Sequence, residues 1–527
     1  MSGKRFEDAL RARARATPEA TYVAGEYGPA TFATVDAAAE LLADRLAAGV
    51  PAGPIASVLP MGPAMAALAF AAGRAGLALA PLHRRRAPAD LIEAVRTLDP
   101  GAVLHEAATA DLARAVAGGR PVLDVQRLIG DGAARRDSAK GDTSPSARDP
   151  EIQRALDAAR EAARYAQMPP PGSRARPGAL GADDDAFLLW TSGTRDGARA
   201  VRLSHANLMA VAGGSALRLD LAADDRWLAT LDPAHVGGLA LLVRAAVVGF
   251  QLVARERFDA AEVAALLDAG AITSASLVPT MLHRLLGARG DRLAPAHARC
   301  LLVGGDAVPR ALLERALDLR YPVALTYGLT EASSQVCTAP PALVRDKPGT
   351  VGWPLKGVEV RVREASGEIL VRGDTVARGY AGDEQPLAGR AGWLATGDVG
   401  HVDGDGHLWV LGRLSDRIVT GGVNVDPAEV AARLALDPAV EDVVVVGVPD
   451  EEWGQLVAAA FVPRGPAPDI EALTSRWHAT LSGPMRPRLV RAVDELPRNA
   501  TGKVDREAVR ALFTARPESR LRATGAR

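Results

Sequence analysis

The chain has 527 residues, a formal net charge of −1, 48% hydrophobic residues and 24% charged residues. At this length we expect roughly three or four domain-sized units with large apolar cores. The balanced charge excludes a chain-wide electrostatic footprint for nucleic acid. The only two cysteines, Cys300 and Cys337, exclude a disulfide framework and a thiolate metal site, and they fit a reducing compartment.

Two stretches bear on targeting and membranes. Residues 1–20 have the pattern of an amphipathic helix without the apolar core of a signal peptide, so we expect a cytoplasmic protein. Residues 236–254 are almost long enough to span a bilayer, but Arg244 lies near their middle. An arginine at the centre of a membrane helix costs about 2.5–3.5 kcal/mol on insertion scales. The pattern therefore predicts a buried helix followed by a strand, with no membrane span.

The first part of the chain alternates between strand and helix patterns. Helical patterns such as residues 64–75 separate strand patterns at residues 55–59, 77–82, 103–104 and 122–123. Strands separated by helices of this length form βαβ units, so we expect a mostly parallel, helix-flanked sheet. Residues 131–185 break the pattern with glycine, serine, proline and charged residues. This composition predicts a flexible insertion or linker.

A strand pattern at residues 187–190 leads directly into a turn of small residues, and the next strand pattern covers residues 200–203. The turn begins with Thr191, Ser192, Gly193 and Thr194. Small hydroxyl residues and glycine let backbone N–H groups approach phosphate oxygens, and Arg199 adds a positive charge at the end of the turn. Such clusters are more often plain turns, so this signal is weak when taken alone.

Two residues in the stretch 228–254 have competing interpretations. His235 follows a strand pattern and Pro233, and a lone histidine is more often structural than catalytic. Arg244 lies nine positions further on, within an apolar helix. It either extends along the helix surface to solvent or is a buried cation that pairs with a substrate carboxylate. The residues alone do not decide between these two.

Polar residues follow two predicted buried strands between residues 299 and 338. The strand at residues 301–303 ends in a turn that contains Gly305, and the strand at residues 323–326 ends in the string Tyr-Gly-Leu-Thr-Glu. The carboxyl ends of parallel strands are where such sheets bind ligands. Thr330 is suited to phosphate, and Glu331 is suited to magnesium, a hard cation that prefers oxygen. The candidates in this string and its extension are Tyr327, Gly328, Thr330, Glu331, Ser333 and Ser334.

Short alternating strands within residues 343–395 predict a small antiparallel barrel. Residues 396–413 then predict a β-hairpin around the turn Asp-Gly-Asp-Gly. Its first strand begins with a Thr-Gly-Asp string that contains Asp398, and its second strand ends at Arg413. Ser415 follows two positions later, at the start of a polar break.

Residues 414–527 predict a smaller unit with strands at residues 443–448 and 456–462 and two flanking helices. The string Pro-Arg-Asn-Ala-Thr-Gly-Lys ends at Lys503 and predicts a mobile loop with the lysine at its tip. Most lysines are plain surface residues, so this residue by itself carries no assignment. The basic stretch after Pro517 predicts a disordered tail.

In their order and spacing these motifs resemble the adenylate-forming enzymes, a family of acyl-CoA synthetases, luciferases and peptide-synthetase adenylation domains. The resemblance covers nearly the whole chain outside residues 131–185. It implies an α/β fold with a large AMP-binding domain, residues 1–413, built from two mostly parallel helix-flanked sheets and a small β-barrel. A small mobile α+β domain, residues 414–527, would follow. The implied ligands are ATP, Mg²⁺, a small-molecule carboxylic acid and coenzyme A as a substrate.

The resemblance also implies roles for individual residues. The catalytic set would be Lys503, Thr330, Glu331 and His235: the lysine contacts the α-phosphate and the acyl carboxylate, Glu331 binds the metal, and His235 gates the acyl pocket. Asp398 would hold the ribose hydroxyls, with Arg413 beside it, and Ser415 would be the hinge. The residues expected at the nucleotide are Thr191, Ser192, Gly193, Thr194, Arg199, Gly305, Tyr327, Gly328, Asp398 and Arg413.

The phosphate loop departs from the family pattern T-S-G-T-T-G-x-P-K-G. Arg195 and Asp196 replace Thr-Gly, Ala198 replaces proline and Arg199 replaces lysine. Arg199 keeps the positive charge. Asp196 adds a negative charge close to where a triphosphate would lie, which predicts weaker ATP binding unless this side chain points away.

Three strings, within residues 233–249, 276–286 and 326–338, resemble the 2-succinylbenzoate–CoA ligases of menaquinone synthesis. In that subfamily a basic residue at the position of Arg244 faces the substrate's carboxylates, and Ser333 and Ser334 belong to the same region. The implied reaction forms an acyl-adenylate and then an acyl-CoA thioester. The alternatives are a CoA ligase for another aryl or medium-chain acid, an adenylation domain that loads a carrier protein, and a non-catalytic nucleotide-binding homologue. The oligomeric state stays open, a homodimer included.

Overall fold

The computed structural model describes residues 5–25, 28–51, 53–130, 181–191, 199–466, 468–498 and 504–514. Its strands are β1 (Thr21–Gly25), β2 (Gly28–Thr31), β3 (Ile55–Ser57), β4 (Leu79–Pro81), β5 (Val103–His105), β6 (Val122–Asp124), β7 (Asp185–Trp190), β8 (Ala200–Ser204), β9 (Arg226–Ala229), β10 (Gln251–Ala254), β11 (Ser274–Leu277), β12 (Cys300–Val303), β13 (Val323–Tyr327), β14 (Cys337–Ala339), β15 (Trp353–Pro354), β16 (Val358–Val362), β17 (Glu368–Gly373), β18 (Gly379–Tyr380), β19 (Leu394–Val402), β20 (Leu408–Arg413), β21 (Ile418–Thr420), β22 (Val423–Val425), β23 (Val440–Asp450), β24 (Gly454–Pro463) and β25 (Leu489–Ala492).

The α-helices, numbered separately, lie mostly between the strands. They are α1 (Phe6–Ala16), α2 (Phe32–Gly49), α3 (Pro63–Ala75), α4 (Pro88–Leu98), α5 (Ala110–Val116), α6 (His205–Leu219), α7 (Val236–Val248), α8 (Ala260–Asp268), α9 (Pro279–Arg289), α10 (Arg310–Asp318), α11 (Pro341–Asp346), α12 (Pro427–Leu434), α13 (Ile470–Thr480) and α14 (Arg506–Thr514). Residues 125–130 are also helical.

Two large sheets form the first part of the chain. One has nine strands in the order β15-β14-β13-β12-β11-β9-β10-β1-β2, and its central strands from β13 to β1 are parallel. The other has seven strands in the order β18-β8-β7-β4-β3-β5-β6, and its strands from β7 to β6 are parallel. These sheets confirm the predicted α/β class with mostly parallel, helix-flanked strands.

The strand after the small-residue turn is antiparallel to its neighbour. Strand β8 pairs with β7 with Leu188 opposite Arg202. Only residues 191–199 connect the two strands, and a parallel crossover needs a dozen or more. The short connection therefore turns the predicted strand back along β7.

Most of the predicted insertion, residues 131–180, lies outside the described residues. Residues 181–184 are described and lead into β7, which begins at Asp185. The carboxylate of Asp185 forms an ion pair with Arg202 on the neighbouring strand, with 2.7 Å between Oδ2 and Nε. The flexibility of residues 131–180 stays a prediction.

The largest apolar core joins the two sheets through the helices between them. It contains Trp227 and Leu252 from the nine-stranded sheet and Leu79 and Phe187 from the seven-stranded sheet, with buried side chains of α2, α3, α6 and α7. Helix α7 is the helix predicted within residues 236–254, and most of its residues are buried. None of the helices in the described residues combines the length and the hydropathy that crossing a bilayer requires.

The later part of the chain forms two smaller sheets. Strands β16, β17, β19 and β20 form a curled antiparallel sheet, a half-barrel in the place of the predicted barrel. The predicted hairpin is β19–β20, with Asp398 opposite Arg413. Strands β21 to β25 form the last sheet, whose core with α12 and α13 is separate from the cores of the first part.

A buried charged cluster attaches the first helix to the core. Glu7 of α1 is buried, and its Oε1 lies 2.8 Å from Nη2 of Arg5 while its Oε2 lies 3.0 Å from Nδ1 of His205 at the start of α6. Burial raises the pKa of the Glu7 carboxyl, but His205 and Arg5 together outweigh it, so this pKa lies below the ordinary 4.5. The folded state therefore favours the ionised carboxylate, and the stability it contributes is present above pH 4.5 and lost as the pH falls.

We predict that Glu7→Gln destabilises the fold, because it leaves the buried His205 and the partly buried Arg5 without their carboxylate. Removing one partner of a buried pair costs about 3–5 kcal/mol. Thermal unfolding of both proteins from pH 7 to pH 3.5 measures the effect. The gap in Tm should be largest at neutral pH and should narrow as acid protonates Glu7.

The matched control is Glu93→Gln, because the Glu93–Arg96 pair lies on the exposed surface of α4. This control should change Tm little at any pH. A Glu7 variant that behaves like the Glu93 variant would contradict a stabilising role for the buried cluster.

Candidate functional site

The hairpin β19–β20 meets the end of β13 at one buried carboxylate. Tyr327 donates its hydroxyl proton to Oδ2 of Asp398 at 2.7 Å, and Nε of Arg413 lies 2.8 Å from Oδ1 of the same residue. Asp398 is almost fully buried, whereas the Arg413 side chain is half exposed. Burial and the neighbouring Asp398 charge raise the pKa of the Tyr327 hydroxyl, which keeps it a donor. The structure thus joins three of the predicted nucleotide residues.

Local sequence explains why Asp398 faces inward. Thr396 donates its hydroxyl to the carbonyl of Ile369 at 2.8 Å and accepts the backbone N–H of Asp398 at 3.1 Å. Gly397 between them has φ of +71°, a left-handed conformation that favours glycine. The string Thr-Gly-Asp therefore forms an irregular turn within β19 that aims the carboxylate at Tyr327.

The turn after Tyr327 is unusually tight. A Cβ atom on Gly328 would lie 1.5 Å from the carbonyl oxygen of Ser334, so no other residue fits there. Thr330 and Glu331 form a short 3₁₀ turn, and Ser333 and Ser334 follow with φ of +59° and +111°. The Ser333 hydroxyl is buried and donates to the carbonyl of Thr375 at 2.7 Å. This hydrogen bond stabilises the turn, and the contact of Ser333 with the substrate stays a prediction.

Tyr380 contacts Glu331 through its hydroxyl and Arg199 through the face of its ring. The Tyr380 hydroxyl donates to Oε1 of Glu331 at 3.2 Å, and the Arg199 guanidinium stacks 3.6 Å from the ring centroid. Burial and the Glu331 charge raise the pKa of Tyr380 to about 12. Arg199 also forms an ion pair with Asp383, with 2.7 Å between Nη2 and Oδ2. A phosphate group that binds Arg199, as predicted, would compete with Asp383 for the guanidinium.

The base of the predicted phosphate loop is closed by backbone contacts. The N–H of Thr191 donates to the carbonyl of Arg199 at 2.9 Å, and the Thr191 hydroxyl donates to the same oxygen at 3.3 Å. Ser192, Gly193 and Thr194, together with Arg195 and Asp196, lie outside the described residues. Gly305 follows β12 with φ of +84° at the same edge of the nine-stranded sheet as the end of β13.

Oxygen ligands at this edge fit a magnesium ion that arrives with a nucleotide. Glu331 is half-buried and offers its second carboxylate oxygen, and Thr330 offers a hydroxyl beside it. Mg²⁺ typically keeps several waters and binds one or two protein carboxylates together with substrate phosphates. A cluster of three metal-ligating side chains, Asp403, Asp405 and His407, occurs elsewhere among the described residues, but the Lys347 ammonium already contacts both carboxylates.

His235 and Arg244 lie at different ends of α7. His235 precedes the first residue of the helix and packs edge-on against His83, with 4.8 Å between ring centroids. Arg244 lies about 13 Å further along the helix axis, at about 1.5 Å per residue. The structure therefore places His235 near the ligand-binding edge of the sheet, because β9 ends close before it, and Arg244 deeper beneath the sheet.

Arg244 is a buried cation with incomplete hydrogen bonding. Its Nη2 donates to Oε1 of Gln335 at 2.6 Å, and its guanidinium lies 5.7 Å from the ring centroid of Trp227. Its Nε and Nη1 have no hydrogen-bond partner among the described residues. Burial lowers the pKa of Arg244 to about 10, so it stays charged near neutral pH. The nearby Cys300 thiol is neutral, because burial raises its pKa to about 12.

Gln335 belongs to the string Ser333-Ser334-Gln335, which resembles the ligase subfamily, but it was not among the predicted site residues. It follows Ser334 directly and is buried, and it is the residue that contacts Arg244. Its position shortly after the Tyr-Gly-Leu-Thr-Glu string is the feature of the sequence that could have indicated a functional role. The contact itself joins residues 91 positions apart, which periodicity does not reveal.

Ser415 lies between the last anchor of the large unit and the first anchor of the small one. Arg413 is tied to Asp398, whereas Asp416 forms an ion pair with Arg506 of α14, with 3.0 Å between Oδ2 and Nε. Ser415 itself is exposed in a short 3₁₀ turn. This position suits the predicted hinge. Lys503 lies outside the described residues, and the described residues on either side of it, Arg498 and Val504, form an antiparallel bridge.

Comparison with known proteins matches these features to one family. A family model described as AMP-binding enzyme matches residues 10–381, and the model of the AMP-binding enzyme C-terminal domain matches residues 429–503. The chain belongs to the AMP-binding enzyme family. These matches support the resemblance drawn from the motifs, and the hairpin that carries Asp398 lies in the interval between the two matched ranges.

Individual relatives agree with the family. A 2-succinylbenzoate–CoA ligase of Geobacillus sp. strain WCH70 is 39% identical over 343 residues, which covers 63% of this chain and 70% of the relative. The o-succinylbenzoate CoA synthetase MenE from Bacillus subtilis, in complex with the acyl-adenylate intermediate OSB-AMP, has a TM-score of 0.79 and 28% identity over 97% of this chain and 98% of that one. Its complex with ATP and a magnesium ion has a TM-score of 0.77 and 28% identity, over 95% and 98%.

We predict that Asp398→Asn weakens ATP binding by about 10- to 100-fold. The substitution replaces charge-assisted hydrogen bonds, worth about 1.5–3 kcal/mol, with neutral ones. Tyr327→Phe should weaken binding only a few-fold, because it removes a group that orients the carboxylate. Isothermal titration calorimetry with ATP and Mg²⁺ measures both.

The control for this measurement is Asp383→Asn, which removes an exposed carboxylate from Arg199. It should leave ATP affinity unchanged or raise it, because Arg199 becomes available to phosphate. Wild-type affinity in Asp398→Asn would remove Asp398 from the nucleotide site.

Proposed function

We propose that this protein is an ATP-dependent acid–CoA ligase that activates 2-succinylbenzoate in menaquinone synthesis. The family assignment, the named relatives and the structural match to an enzyme bound to its acyl-adenylate support this reaction. The ligands would be ATP, Mg²⁺, the acid and coenzyme A. We also propose that the protein acts in the cytoplasm, and a homodimer stays an open alternative to a monomer.

One observation carries the choice of acid: Arg244 is a buried charge that has no counter-ion among the described residues. Taking a charge out of water costs several kcal/mol unless another charge and hydrogen bonds offset it. Its Nε and Nη1 carry three N–H donors that have no partner among the described residues, and a carboxylate is the acceptor that forms charge-assisted hydrogen bonds with a guanidinium. A second carboxylate on the substrate would satisfy them, whereas the tail of a fatty acid would gain nothing there.

The face of the sheet beneath α7 is polar enough to accept such a group. Ser276 of β11 and Thr326 of β13 point to the same face as Trp227, because side chains alternate along strands that are in register. Trp227 donates its indole N–H to the Ser276 hydroxyl at 3.0 Å. An acyl pocket between this face and α7 would run from His235 at its mouth to Arg244 at its end.

In the first half-reaction the chain would hold the two reactants in line. Asp398 would bind the ribose hydroxyls, and the Thr191 turn, Thr330 and Lys503 would donate hydrogen bonds to the phosphate oxygens as the acid's carboxylate attacks the α-phosphate. Mg²⁺ at Glu331 would neutralise charge on these oxygens. The products of this half are the acyl-adenylate and pyrophosphate.

In the second half-reaction the small domain would turn about Ser415 and withdraw Lys503. The thiolate of coenzyme A would then attack the adenylate carbonyl and expel AMP. The anchors on both sides of Ser415, Arg413 and Asp416, limit the rotation to the two residues between them. One site would thus serve two steps.

Pyrophosphate release with ATP, Mg²⁺, coenzyme A and a panel of acids tests the proposal. We expect turnover with 2-succinylbenzoate and much less with benzoate, octanoate and other monocarboxylic acids. Turnover of many monocarboxylic acids would support the ligase class and contradict 2-succinylbenzoate as the specific substrate. Binding of ATP without turnover of any acid would favour a non-catalytic homologue, which the altered phosphate loop would then explain.

We predict that Arg244→Met raises the KM for 2-succinylbenzoate by about 10- to 100-fold, because one charge-assisted pair is worth about 1.5–3 kcal/mol. The KM for ATP should stay within about threefold. The variant should unfold at the wild-type Tm or above it, because it replaces a buried charge with an apolar side chain.

The matched control is Arg289→Met, which removes a buried arginine that already has its partners, Asp268 and Tyr321. This control should lower Tm and leave both KM values unchanged. An Arg244 variant that loses stability and keeps its substrate KM would identify Arg244 as a structural residue.

A further inference from the structure

Gln335 lies at the centre of a buried polar network that includes Arg244. The proposed reaction assigns no role to Gln335. Its Oε1 accepts the Nη2 proton of Arg244 at 2.6 Å. Its Nε2 donates to Oγ1 of Thr338 at 2.8 Å and to Oγ1 of Thr326 at 3.3 Å. The residue is 2% exposed, so these contacts are formed away from solvent.

The network fixes which way the Gln335 amide points. Thr326 donates its single hydroxyl proton to the carbonyl of Cys337 at 2.9 Å. The Thr326 hydroxyl must therefore accept at its other contacts, those with Thr338 at 3.0 Å and with Nε2 of Gln335. Both amide protons of Gln335 are then used on the two threonines. Its oxygen is left facing Arg244, and a flipped amide would set N–H groups against the guanidinium.

A neutral acceptor at this place holds Arg244 without neutralising it. A carboxylate there would form an internal ion pair and cancel the positive charge. An apolar side chain would leave the guanidinium free to turn, and it would add an unpaired donor to a buried site. The amide uses one N–H of Arg244, and the three donors on Nε and Nη1 stay without a partner among the described residues.

We propose that Gln335 is the residue that sets the charge specificity of the acid site. It positions the Arg244 guanidinium through one hydrogen bond and preserves its charge for a second carboxylate on the acid. This inference rests on the proposed function, because it assigns the end of the acid pocket to Arg244. Gln335 touches Arg244 and not the reacting atoms, so it is a positioning residue.

The same turn connects this residue to the nucleotide site. The backbone N–H of Val336 donates to the carbonyl of Tyr327 at 2.8 Å, and the carbonyl of Ser334 closes over Gly328. Gln335 lies between these two contacts. The tight turn that presents Thr330 and Glu331 therefore also fixes the amide that holds Arg244.

The test compares 2-succinylbenzoate with 3-benzoylpropionate, which has the same ketone and side chain but lacks the ring carboxylate. For the wild type we expect a much lower KM for the dicarboxylic acid. Gln335→Glu should raise that KM at least tenfold and leave the KM for 3-benzoylpropionate and for ATP within about threefold. Gln335→Met should raise it less, because Arg244 keeps its charge and loses only its position. The control Gln251→Glu adds the same charge at the start of β10 and should leave the KM values for both acids unchanged.

A double substitution separates positioning from a general effect on folding. In the Arg244→Met background, Gln335→Glu should cause no further change in the ratio of the two KM values, because its target is gone. An additive loss in the double variant, or a wild-type ratio in Gln335→Glu, would overturn the inference. A variant that fails to fold would show a low Tm. If Gln335→Glu fails in this way, the ratio of the KM values for the two acids in Gln335→Met decides the test.

Failure of the proposed function gives a different result. If the wild type does not turn over 2-succinylbenzoate, binding replaces turnover as the readout, by thermal shift with 2-succinylbenzoate and phthalate. Stabilisation of the wild type that Gln335→Glu abolishes would support the inference without the reaction. Equal shifts, or none in either protein, would overturn it.

Discussion

One carboxylate, that of Asp398, joins the parts of this molecule that a nucleotide-dependent reaction needs. It accepts from Tyr327 at the end of a central strand and pairs with Arg413 just before the hinge position. Because Asp398 and Tyr327 are both buried, their hydrogen bond acts at low dielectric and is stronger than a surface equivalent, whereas solvent screens the contact with the half-exposed Arg413. The nine-stranded sheet, the curled sheet and the connection to the small domain therefore share a single anchor. A rotation about Ser415 would begin from that anchor.

The turn that follows Tyr327 extends this constraint to the acid. Gly328 and Ser334 approach so closely that the turn has one accessible shape, and Gln335 leaves it toward Arg244. A buried guanidinium with unused donors raises the free energy of the ligand-free protein, and a second carboxylate would offset that cost. The same energetic cost that makes Arg244 a poor structural residue would favour binding of a second carboxylate in the proposed acid site.

Much of the architecture followed from patterns that act over short distances. The hairpin around Asp-Gly-Asp-Gly, the parallel strands and the buried helix α7 formed as predicted, because turn chemistry and hydrophobic period are local properties. Strand pairing and side-chain partners are not local properties. Strand β8 runs antiparallel to β7, Asp185 pairs with Arg202, and the Ser333 hydroxyl donates to the carbonyl of Thr375.

The sequence by itself determined the fold class, the family and the order of the motifs, since each motif is a short string whose residue types suit one turn or strand end. Tertiary structure alone decided how the motifs meet. The contacts that matter join Tyr327 to Asp398 across 71 positions and Arg244 to Gln335 across 91. Whether Arg244 reaches solvent or stays buried depends on what packs over α7, and no periodicity within the helix contains that information.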